Sequence, residues 1–425
     1  MKTAADGLFI SQTTTAYRRY RGAKVIAING LSVDEILEKA GKVSPVENKY
    51  GAYQTLCRLI TENKSVALLF DSLGRSIRFS LQTVDGSLHE VDMAWLKNPE
   101  WTAFRSKLKF KNENPLLHGQ LIEKGKKTVG YFAWNSMSAR EMLEEVAQNP
   151  DPQYLEMNLN AMYTYTLKTL RPKDDKTAIR EVPSLYATFT DLLKTMKSKK
   201  TEDLIIDLRE NGGGMTPLCR PLLYMLYGDK YLNFESKAEY NRRLSPLMLQ
   251  KWGLDSIAQY NRGSSTHYRL GDFTFGYFLG SHDTRSIEEK RKDMSLISYF
   301  NNIGSEYTKN LNGKPLYEPR VVVLTSPKTF SAAYHFIYFL TQIGDALVVG
   351  VPSRQAGNTF MESTQFELPN THVTGSISNS MQVFFPDNPA KGKTFMPDYP
   401  MNWNDYAKYD FDENAEILYV LDMLD

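Results

Sequence analysis

The stretch whose reading decides the fold is RVVVLTSPKTFSAAYHFIYFLTQIGDALVVG, residues 320–350. Val321 to Leu324 is an uninterrupted apolar run, the pattern of a strand covered on both faces. Thr325 to Phe330 reads as a loop and Ser331 to Gln342 as a helix stopped by Gly344, with Ala346 to Val349 as the next strand. Strand, helix and strand in such close succession form a βαβ crossover, so the two strands are expected to be parallel. Ser331 stands where the helix begins, beside the small residues Ala332 and Ala333. Two readings of it are open. The plain one is a serine that caps the helix. The sharper one is a nucleophile at the positive end of a helix, with the Ala332 N–H aimed at a forming oxyanion.

A second unit of the same kind lies upstream, in DLIIDLRENGGGMTPLCRPLLYMLYG, residues 203–228. Leu204, Ile205, Ile206 and Leu208 make a buried strand, and Asn211 to Gly214 a turn. Thr216 is a good helix cap, Pro217 suits the first helical position and Gly228 closes the helix. Three consecutive glycines can simply mark a tight turn that needs positive φ. They can also form a bare backbone surface whose N–H groups hold an anion. A dinucleotide loop fits poorly, because Pro217 stands where the last glycine of G-x-G-x-x-G belongs, and no P-loop lysine follows. In parallel strands both turns would lie at one edge of the sheet.

Working outward, residues 1–95 hold strand-like runs (Lys24 to Ile28, Ser65 to Phe70, Ser76 to Leu81) and helical stretches. Among these, GAKVIAINGLSVDEIL reads as a strand, an Asn29-Gly30 turn, and a helix from Ser32 to Lys39 with Ser32 as its cap. Residues 96–122 are a polar connector, and residues 123–425 carry the α/β units. Thr128 to Trp134 is β-prone, Ser138 to Gln148 helical, and Pro183 to Lys197 has amphipathic helical spacing. Residues 229–317 are too long for a loop and form an insertion, either a subdomain or a cover. A net charge of +2 with dispersed Lys and Arg argues against nucleic acid as a partner. Two cysteines, Cys57 and Cys219, exclude a disulfide framework. The first residues, MKTAADGLFISQTTT, hold no apolar run of signal-peptide length, and no stretch has the length of a transmembrane span.

DLREN-GGG and TFSAA, about 120 residues apart and followed by VVGVPS, resemble the motifs of the S41 peptidase family. That family includes carboxyl-terminal processing (tail-specific) proteases and tricorn-like serine proteases. The resemblance runs from about Lys127 to the closing PDYPMNWNDY, and GAKVIAINGLSVDEIL resembles part of the family's PDZ-like module. It implies an α/β fold: a crotonase/Clp-protease-like spiral core with an N-terminal PDZ-like domain and a large insertion. It further implies a serine peptidase acting on polypeptides without a cofactor, Ser331 as nucleophile, and oxyanion donors from Ala332 and from Gly213 or Gly214. Location outside the cytoplasm is also implied. The alternative is a binding protein that keeps the fold without the activity.

One position departs from the pattern. The lysine that many members use as general base is replaced by Ala356. A serine hydroxyl needs a base. His335 is one candidate, four residues after Ser331 on the same helical face, although a histidine there is more often a surface or packed residue. Lys328, Lys391 and Lys393, or a distant His118, His267 or His282, are others. The histidines lack metal-site spacing, no G-x-S-x-G is present, and the pairs Asp174-Asp175 and Glu144-Glu145 fall in solvated stretches.

Overall fold

The computed structural model describes residues 1–61, 63–70, 75–96, 99–110, 114–125, 127–149, 151–262, 266–277, 283–296 and 305–424. The fold is mixed α/β. Its chain divides into two compact units, one made of Met1–Asn233, Ser286–Gln355 and Met396–Asp425, the other of Phe234–Arg285 and Ala356–Phe395.

In the first unit the central sheet runs in the order Tyr399–Pro400, Leu347–Gly350, Arg320–Thr325, Asp203–Asp207, Lys127–Trp134, Leu117–Lys124. Every pairing is parallel except the last, where Leu117–Lys124 runs antiparallel to Lys127–Trp134. All five residues of Asp203–Asp207 are buried, as the continuous apolar run requires of a strand covered on both sides. The helix Leu185–Lys199, capped by the Ser184 hydroxyl, covers the antiparallel end. It fits closely, since a side chain on Gly130 would strike Met196. The helix Ala332–Gly344 packs against Cys219–Tyr227, and its residues from Ala332 to Leu340 are all buried. A helix that is apolar all round belongs in the interior.

Two local features differ from the sequence expectation. Gly344 does not end the serine helix; Asp345 takes the left-handed position at φ 50°. Gly344 is required for space instead, because a Cβ there would run into the Tyr227 ring. Likewise Asn63–Phe70 is a helix rather than a strand. Val66 and Leu69 are buried while Leu68 is exposed, which is a three-residue spacing and not alternation.

Residues 1–95 form an antiparallel sheet in the order Lys2–Ala4, Gly7–Phe9, Lys24–Ile28, Ser76–Gln82, Leu88–Ala94. The Asn29-Gly30 turn has φ of 49° and 79°, both left-handed as a two-residue hairpin turn needs. Ser32 caps Val33–Val43 in a reciprocal box with Glu35. Phe9, Ile28, Leu56 and Leu81 share one apolar cluster with Ile205, Leu324, Val349 and Tyr406. Cys57 and Cys219 are both free thiols. The second unit contains an antiparallel sheet of Phe273–Thr274, Glu239–Arg243, Thr374–Val383 and Asn358–Glu367. No helix among the described residues is long and apolar enough to cross a membrane.

Candidate active site

Because the central strands are parallel, the segments after Trp134, Asp207, Thr325 and Gly350 leave the sheet at one edge. The glycine turn is the first of the parts they build. Asn211 is fully buried; its Nδ2 donates to the Trp134 carbonyl at 2.7 Å and its Oδ1 accepts the Gly213 N–H at 2.9 Å. Met137 donates its N–H to the Gly213 carbonyl and accepts the Met215 N–H. The peptide N–H of Gly214, between these two bonds, therefore faces away from Met137. Gly213 and Gly214 have φ of 100° and 140°, where an L-residue is strained. A Cβ on Gly213 would lie 2.6 Å from Ser331 Cβ, so the turn is pressed against the serine.

The serine loop is tied to the same turn. Ser326 Oγ donates to the Arg209 carbonyl at 2.5 Å, Thr329 Oγ1 to the Leu208 carbonyl at 2.8 Å, and the Phe330 N–H to the Asn211 carbonyl at 3.1 Å. Ser331 follows with φ 55° and ψ −125°, a conformation in which a non-glycine residue carries strain. Its side chain makes no capping bond to the helix. The capping reading of Ser331 is thereby removed. The Ser331 N–H is taken instead by Gln355 Oε1 at 2.5 Å.

Of the candidate bases, His335 sits one helical turn beyond Ser331, buried, with Nδ1 2.8 Å from Thr216 Oγ1. Thr216 was expected to cap its helix; Met215 holds that position, and the Thr216 hydroxyl goes to the histidine. Lys328 is committed to Glu210, with Nζ 2.7 Å from its carboxylate. His118 lies at the same sheet edge but on the outermost strand, three strand steps from the serine strand, its ring packed 5.6 Å from that of Tyr131. At ~4.8 Å per step that is on the order of 14 Å sideways. Ala356, His267, Lys391 and Lys393 belong to the second unit, and His282 lies outside the described residues.

Behind the glycine turn sits a buried ionic cluster that sequence reasoning did not find. Arg209, within the turn, pairs with Asp207 at 2.7 Å and with Glu416 at 2.7 Å, and donates to Asn414 Oδ1 at 2.9 Å. Glu416 also pairs with Lys2 at 2.7 Å and accepts the Tyr406 hydroxyl at 2.8 Å. Burial alone would raise the Glu416 carboxyl; Lys2 and Arg209 outweigh it and hold it at about 2. Glu416 stands in the apolar helix Ala415–Met423, where nothing in the sequence marks it as an ion-pair partner.

The model of peptidase family S41 matches residues 177–389, half of the chain. The chain belongs to peptidase family S41. That span holds both turns of this S41 chain and the segment through Gln355. Among solved structures the S41 chain is similar to mature CPAF complexed with lactacystin, at 16% identity and TM-score 0.45 over 95% of this chain and 79% of that one. A putative S41 protease from Bacteroides fragilis matches at 13% identity and TM-score 0.34 over 96% and 76% of the two chains. The photosystem II D1 C-terminal processing protease matches at 12% identity and TM-score 0.31, over 90% and 64%. No curated protein sequence matches the chain.

Proposed function

We propose that the chain is a serine peptidase that hydrolyses polypeptides through Ser331. The observation that carries the reading is Ser331 itself: it is held at positive φ at a helix start, its hydroxyl is not spent on capping, and it faces a bare glycine turn. In this reading Ser331 Oγ attacks the peptide carbonyl while its proton passes to a base. The carbonyl oxygen becomes an oxyanion between two backbone N–H groups, those of Ala332 and Gly214. Gly213 is the spacer rather than the donor, since its own N–H is held by Asn211. The amine leaves with a proton, and water then releases the acyl group from Oγ.

The base is assigned to His335, the described histidine nearest to Ser331 along the helix, with Thr216 fixing the ring at Nδ1. A cavity of about 760 Å³, lined by Phe110, Tyr131, Glu210 and Ser326 to Lys328 among others, includes neither Ser331 nor Gly213, so the polypeptide substrate rests on membership of the S41 family. Residues 1–95, a small antiparallel sheet with flanking helices, are assigned a PDZ-like, peptide-holding role ahead of a crotonase-like core. Action outside the cytoplasm completes the reading.

A fluorophosphonate probe tests it. The intact protein is expected to be labelled across about pH 6 to 9, and Ser331→Ala not at all. The base assignment is tested by His335→Gln, in which labelling is expected to fall sharply while the protein remains folded. A folded protein that takes no label at any pH would instead be a binding protein on the S41 scaffold.

A further inference from the structure

The side chain nearest to the nucleophile's backbone is neither a histidine nor a lysine. Gln355 is fully buried, and its Oε1 accepts the Ser331 N–H. Its own N–H donates to Ser353 Oγ at 2.9 Å, and Ser353 Oγ donates to the Thr329 carbonyl at 2.6 Å, so the glutamine is tied back to the serine loop. Because a backbone N–H only donates, the group facing Ser331 must be the carboxamide oxygen. The other arm of the carboxamide, Nε2, is then fixed as well. It is buried and has no hydrogen-bond partner among the described residues. An unsatisfied buried amide donor is costly, so its persistence beside a nucleophile calls for a function.

We infer that Gln355 is a positioning residue for Ser331: Oε1 holds the serine backbone at positive φ, and Nε2, unpaired among the described residues, is a donor kept for the reacting group once substrate is bound. This rests on the serine-peptidase reading above. It also gives the residue before Ala356 a task in a chain where the usual lysine is missing. The carboxamide contributes no proton transfer, so it complements the base rather than replacing it. The charged group next in sequence is Arg354, whose guanidinium lies 4.8 Å from the centre of the Phe330 ring and feels the Glu47 carboxylate; on the helix that Ser331 begins, the titratable residue is His335.

Two variants test the inference by their rates of fluorophosphonate labelling relative to wild type at each pH. Gln355→Met removes both the acceptor and the donor without introducing charge, and labelling is expected to fall at least about 30-fold in a protein that still melts cooperatively. Gln355→Glu keeps an oxygen for the Ser331 N–H but loses the donor when ionised. Its deficit is expected to be largest at high pH and to shrink as the carboxyl protonates and can donate again. A Gln355→Met protein that labels at the wild-type rate overturns the inference. So does a Gln355→Glu deficit that is flat with pH. Wild-type protein that takes no label defeats the parent reading instead, so the two failures are distinguishable.

Discussion

Replacing Gly213 by alanine is expected to reduce labelling and peptide hydrolysis by at least about 10²-fold and to cost about 2 to 4 kcal/mol of stability. The added methyl would lie 2.6 Å from Ser331 Cβ and 2.7 Å from the Phe330 carbonyl oxygen, both far inside contact distance. Neither neighbour can yield, because the serine loop is pinned to the turn at Leu208, Arg209 and Asn211. The backbone at φ 100° adds its own strain for any L-residue. Gly212 supplies the control. A Cβ there meets nothing within 4 Å, so Gly212→Ala is expected to leave both stability and labelling near wild type. Urea titrations and labelling rates on the two variants check this together. Equal behaviour of the two would show that the turn is not shaped by its contact with Ser331.

Removing the Glu416 carboxylate is expected to be nearly as damaging, through stability rather than chemistry. Glu416→Ala takes one partner from the buried Arg209, which keeps Asp207, and one from the part-exposed Lys2, a change that costs about 3 kcal/mol. The pH dependence carries a sign. The carboxyl lies at about 2 in the folded protein against 4.5 ordinarily. The folded state therefore favours the ionised form, and the stabilisation is complete above the unfolded value and lost as pH falls through the folded one. Its size is about 3 kcal/mol at neutral pH. Glu416→Gln isolates the effect: its stability gap to wild type is expected to narrow by about half between pH 7 and pH 3. A gap that stays constant over that range would assign the damage to packing alone.

The parts of the site that could be read from sequence are those where a backbone demand leaves a compositional mark. A buried parallel strand must be apolar throughout, a turn at φ near 100° must be glycine, and a helix must start on a small residue near that turn. Leu204 to Ile206, Gly213 and Ser331 each show one of these marks. What escaped were side chains whose role depends on long-range partners. Gln355 is a lone polar residue in a loop, Glu416 a single acid in an apolar helix, and Thr216 looks like any cap until His335 is brought to it. For Asn63–Phe70, the run of apolar residues did not by itself separate a strand from a buried helix.

The central register has a consequence for when the proposed site is assembled. Asp203 faces Arg320 across the two middle strands, though they stand 117 positions apart in the sequence. Closing so long a loop carries a conformational cost before any contact repays it, and such pairings form late. The hairpin of Asn358–Glu367 and Thr374–Val383 needs no such closure. The glycine turn and Ser331 meet only once the distant strands have paired, so a nascent or half-folded chain has secondary structure but not the proposed site. The topology itself thus sets the order in which the proposed site is assembled.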